Sequence, residues 1–127
     1  MTTIEVFRIK NKVEHQIIIA KVIKILTNLN IKNRDNVVII VSELVTNILK
    51  YADSGKVKLE IDDNIIKIIA IDNGSGIEDI DLALTEGFTS GKSLGMGLPG
   101  IKRLSDDMSI DSSSKGTKII VKLKVEK

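Results

Sequence analysis

Residues 37 to 49 read VVIIVSELVTNIL, and this run constrains the fold more than any other part of the chain. So dense a set of aliphatic side chains is kept from water only inside a packed layer. Val38, Val41, Leu44, Val45, Ile48 and Ala52 follow steps of three and four, which places them on one side of a helix ending near Ala52. Asn33 or Asp35 stands where its cap belongs. Such a helix needs a sheet to lie on. The stretches KVKLEID and IIKIIAID supply two strands, turned at Asp62-Asp63-Asn64. A further strand pair is expected around Lys115-Gly116, in SIDSSS and TKIIVKLKV. Residues 3 to 10 read as an edge strand, and Val13 to Leu29 as a first helix, ended by the polar stretch from Asn28 to Asn36. Residues 78 to 85 suit a short helix, and Ile101 to Met108 another, entered through Pro99. The glycine-rich GFTSGKSLGMGLPG is expected to be irregular. Helices first and antiparallel strands afterwards predict an α+β, two-layer sandwich. One domain, 1–127, is the expectation for a chain of 127 residues.

Composition removes several kinds of chemistry. Without cysteine there is no disulfide or thiolate metal site, and one histidine makes zinc and Ser-His catalysis poor readings. A net charge of +2 and 2% aromatic residues offer neither the basic face nor the stacking rings of a nucleic-acid binder. The apolar runs are interrupted by Lys, Ser, Glu or Asn, so no membrane span is expected. MTTIEVFRIK lacks a signal-peptide core, which makes the cytoplasm the expected location.

The polar residues inside the greasy helix raise the functional question. Glu43 and Asn47 are one turn apart, with Asn36 and Lys50 on the same side. By itself this stripe reads best as the solvated face of an amphipathic helix. A carboxylate and an amide one turn apart could also serve Mg²⁺ with its waters, or orient a hydroxyl. Two glycine clusters follow. In Asp72-Asn73-Gly74-Ser75-Gly76 a carboxylate ends a strand, where it could accept from an exocyclic amine while the glycines admit a flat ring; a plain turn explains it too. The run Gly91 to Gly100 opens a helix, and successive amides there suit an anion, although the spacing is not that of a P-loop. Gly116-Thr117 reads as a hairpin turn.

Taken in order, a Glu/Asn helix, a DxGxG strand end, a glycine loop opening a helix and a Gly-Thr before the last strand resemble the N, G1, G2 and G3 boxes of the GHKL ATP-binding superfamily. The segment EGFTSGKSLGMGLPGIKRLSDD is similar to the RsbT-type serine/threonine switch kinases, relatives of the anti-sigma kinases RsbW and SpoIIAB. The resemblance implies a Bergerat-type fold, with helices on one face of a mixed, mainly antiparallel sheet. It implies Mg²⁺ on Asn47, Glu43 as the base for the substrate hydroxyl, and Asp72 reading the adenine amine. Gly74 and Gly76 would shape the adenine pocket, with Thr117 beside it. Gly95, Met96, Gly97, Leu98 and Gly100 would hold the phosphates under a lid of residues 86 to 94, which carries Lys92. Lys102 and Arg103 receive no role. The implied activity is ATP-dependent phosphorylation of a STAS-domain antagonist in a bacterial stress or sigma-factor switch, with a PP2C-type phosphatase or a sigma factor as further partners. The rival readings are an anti-sigma factor with kinase activity and a non-catalytic ATP-binding module. His15 reads as an exposed helix residue. The surplus of Ile17, Ile18, Ile19, Val22, Ile23 and Ile25 reads equally as a homodimer or partner surface and as a helix held between sheet and N-terminal strand.

Overall fold

The computed structural model describes residues 2–74, 76 and 97–127. Strand β1 (Thr3–Ile9) is followed by helices α1 (Val13–Asn28) and α2 (Arg34–Tyr51), then by β2 (Gly55–Ile61) and β3 (Ile65–Asp72). After residues 73–96 come α3 (Gly97–Leu104), β4 (Asp107–Ser113) and β5 (Gly116–Lys124). The strands form a single sheet in the order β1-β2-β3-β5-β4. Every neighbouring pair is antiparallel. Because β3 and β4 both run against β5, they are parallel to each other, with β5 slotted between them. The expected α+β architecture is present, with the expected edge strand at β1.

Strand periodicity decides which face is buried. Phe7 and Ile9 of β1, Val57, Leu59 and Ile61 of β2, and Ile66, Ile68 and Ala70 of β3 all point to the helices and are buried. Ile119, Val121 and Leu123 of β5 continue that layer. The alternate positions carry Lys56, Lys58, Lys67, Lys118 and Lys122 on the opposite face. Helix α2 closes the core with Val37, Ile40, Val41, Leu44, Val45 and Ile48. The buried arc is therefore wider than the sequence stripe suggested. Val37 and Ile40 join it, and Val38 is half-buried, because α2 packs on α1 and α3 as well as on the sheet. On α1 one narrower stripe is buried (Ile18, Val22, Leu26), while Ile17 and Ile23 are exposed.

Local chemistry sets the element ends. Asn11 Oδ1 accepts from the Val13 amide at 3.1 Å, and Glu14 Oε1 accepts from Asn11 N at 3.0 Å, a reciprocal cap for α1. Asn30, at φ 57°, ends the α1 region in the left-handed conformation that asparagine tolerates. Asn33 does occupy the start of α2, but it makes no side-chain cap. Its amide instead donates to Lys124 O at 2.9 Å and accepts from Glu126 N at 3.2 Å, tying the helix to the end of β5. The helix expected at Ile101–Met108 is shifted. It runs Gly97–Leu104, and Met108 belongs to β4. Glycines at 97 and 100 disfavour a helix by about 1 kcal/mol each. Burial of Leu98 and Ile101 returns roughly 3–6 kcal/mol, which outweighs that cost. Pro99 is tolerated because first-turn amides have no intrahelical partner. The short helix expected at residues 78 to 85 lies outside the described residues. No helix among the described residues is long and apolar enough to cross a membrane.

Candidate functional site

The solvated-face reading of the α2 stripe fails at Glu43. Its side chain is 1% exposed, more buried than several leucines and isoleucines of the core. Asn47, one turn on, is half-buried, whereas Lys50 is exposed. A carboxylate taken from water costs several kcal/mol before its new interactions repay it. A chain keeps such a group on a core helix where the group has a task or a strong partner. Ser42, the preceding residue, is buried too and lies 3.0 Å from His15 Nε2 on α1. His15 is thus a half-buried bridge between the helices, not the exposed residue its sequence context suggested. Thr46 Oγ1 donates to Ser42 O at 2.8 Å and keeps a further hydroxyl on this turn of α2.

The C-terminal end of α2 is locked to the end of β3. Ile48 sits over Gly55, where a Cβ would come within 2.8 Å of it. Gly55 pairs with Asp72 across β2 and β3. Asn73 N donates to Ser54 O at 3.4 Å, and Asn73 Oδ1 accepts from Ser54 N at 3.1 Å, so the chain leaving α2 is stitched to the chain leaving β3. This end of the sheet carries a polar row. Asp72, Thr117 and Ser112 are register partners on β3, β5 and β4. All three lie on the helix-facing side, immediately past the apolar row Ala70, Ile119 and Ile110. Asp72 Oδ1 accepts from Gly74 N at 2.9 Å and from Thr117 N at 3.2 Å. These are the bonds of the Asp72 carboxylate among the described residues; they fix its plane and engage one of its oxygens. Ser112 Oγ and Thr117 Oγ1 are 2.7 Å apart, a hydroxyl–hydroxyl hydrogen bond.

The glycines have a packing role that the sequence did not reveal. A Cβ on Gly74 would run into Tyr51 O at the end of α2, and one on Gly76 would run into Ser113 O. Gly76 also has φ +90°, which side chains rarely adopt. Both residues let the strand-end loop lie directly on neighbouring backbone, which draws α2, β3 and β4 together. On the α2 side of the site, α3 packs against α2. Gly97 opens α3 with φ +55°, Leu98 and Ile101 enter the core, and Gly100 is buried. Lys92, Gly95, Met96 and the lid of residues 86 to 94 lie outside the described residues.

Asp72, Gly74 and Thr117 are joined by hydrogen bonds at the β3 end, with Gly76 against β4, while Glu43 and Asn47 lie on α2, which packs against the α3 helix that carries Gly97, Leu98 and Gly100. Sequence reasoning missed Ser112 and Ser42. Ser112 could have been found by pairing the hairpin around Lys115-Gly116, which puts it opposite Thr117. Among the described residues no three His, Cys, Asp or Glu side chains converge on a metal position.

Residues 32–127 match the sequence profile of the histidine kinase-, DNA gyrase B-, and HSP90-like ATPase family. The chain is 44% identical over 84 residues to the serine/threonine-protein kinase RsbT of Bacillus subtilis (strain 168), covering 62% of this chain and 63% of that protein. It is 40% identical over 96 residues to the anti-sigma F factor of Clostridium novyi (strain NT), covering 68% of this chain and 67% of that one. The match therefore spans less than two thirds of the length of RsbT. Among solved structures, the mycobacterial sensor histidine kinase MprB superposes with a TM-score of 0.59 at 17% identity, over 98% of this chain and 99% of that one, which is a likeness of fold.

Proposed function

The chain belongs to the histidine kinase-, DNA gyrase B- and HSP90-like ATPase family, and from that premise we propose that it is an ATP-dependent serine/threonine protein kinase whose substrate is a STAS-domain antagonist protein. The carrying observation is Glu43: a carboxylate buried to 1% exposure, one helical turn from Asn47, on the helix that abuts the polar strand end. The likeness to a serine/threonine-protein kinase supports the same reading.

Phosphoryl transfer asks a protein for alignment and charge stabilisation more than for covalent chemistry. On this reading Asp72 accepts the adenine amine through the oxygen not occupied by Gly74 and Thr117 amides. Thr117 lies against the same ring edge. The amides opening α3 face the phosphates, where helix N-termini favour anions. Asn47 offers an amide oxygen, a hard donor that would hold Mg²⁺. That donor set fits Mg²⁺, which when bound neutralises phosphate charge. Glu43 takes the proton from the substrate Ser or Thr hydroxyl as that oxygen forms its bond to the γ-phosphorus. The bond from the γ-phosphorus to the bridging oxygen breaks, ADP departs, and the partner carries the phosphate.

The test is incubation with ATP, Mg²⁺ and STAS-domain proteins, read by mass spectrometry of the partner. A phosphorylated Ser or Thr supports the proposal. Tight ATP binding with no transfer to any STAS protein would leave a nucleotide-binding module instead. Pull-down with sigma subunits tests the anti-sigma reading that the Clostridium novyi relative favours.

A further inference from the structure

The three polar side chains at the strand end differ in what they can offer a purine. Asp72 is an acceptor only, and its Oδ1 is already engaged by two backbone amides. Its remaining oxygen rewards a ring substituent that donates, as the adenine amine does, and repels the 6-oxo group of hypoxanthine or guanine. Thr117 is ambiguous. A hydroxyl can either donate or accept, so by itself it suits both the adenine N1 acceptor and the N1–H of a 6-oxopurine. The direction of its bond to Ser112 decides which. One hydrogen bond joins the two hydroxyls at 2.7 Å, and only one proton lies in it. If Ser112 supplies that proton, the Thr117 proton is left to point away from Ser112, along the row toward Asp72 and the ligand. Thr117 is 7% exposed, so bulk water does not readily scramble this choice. Gly76 lies close by, so that a Cβ placed on it would come 3.0 Å from Ser112 Oγ.

We propose that Ser112 is a positioning residue for nucleobase choice: its hydroxyl donates to Thr117 Oγ1 and thereby commits Thr117 to donate to the ring nitrogen of adenine. This rests on the adenine reading of the site given above, and adds a residue on β4 that the motif comparison did not supply. Ser112 does not touch the base; it acts through Thr117. Without it the Thr117 hydroxyl rotates freely and serves either ring edge.

The experiment measures binding of ATP and inosine triphosphate by calorimetry for wild type, Ser112→Ala, Ser112→Thr, Thr117→Val and the double variant. Wild type should prefer ATP. Ser112→Ala should lower the ATP-to-inosine preference about fivefold, the ratio that one neutral hydrogen bond controls. Ser112→Thr keeps the hydroxyl and should restore the preference. The double variant should match Thr117→Val alone, because the Ser112 effect passes through Thr117. Equal loss of both nucleotides in Ser112→Ala, or additive losses in the double variant, would overturn the proposal while leaving the kinase reading intact. Should Ser112→Ala not fold, Ser112→Thr still decides: loss of preference despite the hydroxyl refutes the donor role. A wild-type protein that binds ATP and inosine triphosphate equally refutes the adenine reading itself, and Ser112 with it.

Discussion

Replacing Glu43 by glutamine separates catalysis from stability in a way few substitutions here can. The side chain keeps its volume on a fully packed helix, so no cavity opens beside Leu44 and Val45. The charge disappears from a position 1% exposed to solvent. Holding an ionised carboxylate there costs several kcal/mol of desolvation, and an amide costs less. Glutamine keeps the volume and one oxygen for the interactions Glu43 makes within the fold, so the variant should still fold. Chemistry moves the other way. A positioned general base contributes about 10²- to 10⁴-fold, which is roughly 2.7–5.4 kcal/mol of barrier. ATP affinity should change by less than about threefold, since the residues proposed for the base lie elsewhere, and loss of a negative charge near the phosphates favours binding. Single-turnover transfer to a STAS partner, alongside thermal melting and ATP calorimetry, reads all three quantities. A variant that transfers phosphate at the wild-type rate refutes the role of Glu43. A variant that melts well below wild type shows instead that the carboxylate is there to hold the helix.

Other perturbations follow from the same geometry. Asp72→Asn keeps an oxygen for the Gly74 and Thr117 amides, so the fold should survive, while ATP affinity falls about ten- to a hundredfold, the worth of a charged hydrogen bond; unchanged affinity by calorimetry would remove Asp72 from the adenine site. Gly76→Ala must adopt φ +90° and meet Ser113 O, so urea denaturation should report a loss of about 2 kcal/mol or more. Asp62 accepts from the amides of Asn64 and Ile65, which hold its carboxyl below its ordinary 3.8. Its contribution to the β2–β3 turn is thus present above pH 3.8 and lost as pH falls through the lowered value. Asp62→Ala should lower the melting temperature at neutral pH and no longer do so at the acid end; an equal difference at both ends contradicts the turn assignment.

Much of this architecture can be read from residue order. The alternation in KVKLEID and IIKIIAID gave β2 and β3 nearly to the residue, since burial on one face with period two has few other solutions. Helix α2 was equally legible. Its polar stripe was not, because periodicity says which residues share a side and is silent on what covers that side. Here α1 and α3 pack beside it, so Ile40 and Glu43 are buried where an isolated helix would expose them. The start of α3 was hidden for a related reason. Gly97, Pro99 and Gly100 have poor helical propensity, and only the tertiary burial of Leu98 and Ile101 overrides it. Of the candidate site, Glu43, Asn47, Asp72 and Thr117 are proposed through the order of the four motifs. Ser112 and the His15–Ser42 bridge are not, because each arises from a pairing between elements that no local pattern encodes.

The account turns on whether the Asn47 side of α2 faces the triphosphate. Titration of isotope-labelled protein with Mn²⁺ and a non-hydrolysable ATP analogue tests this directly, because the paramagnetic ion broadens nuclei close to it. The predicted result is selective loss of the Asn47 side-chain amide and the backbone signals of Glu43 and Gly97, with Lys58 and Ile69 on the far face of the sheet unaffected. Broadening on that far face, with the Asn47 and Glu43 signals intact, would contradict it.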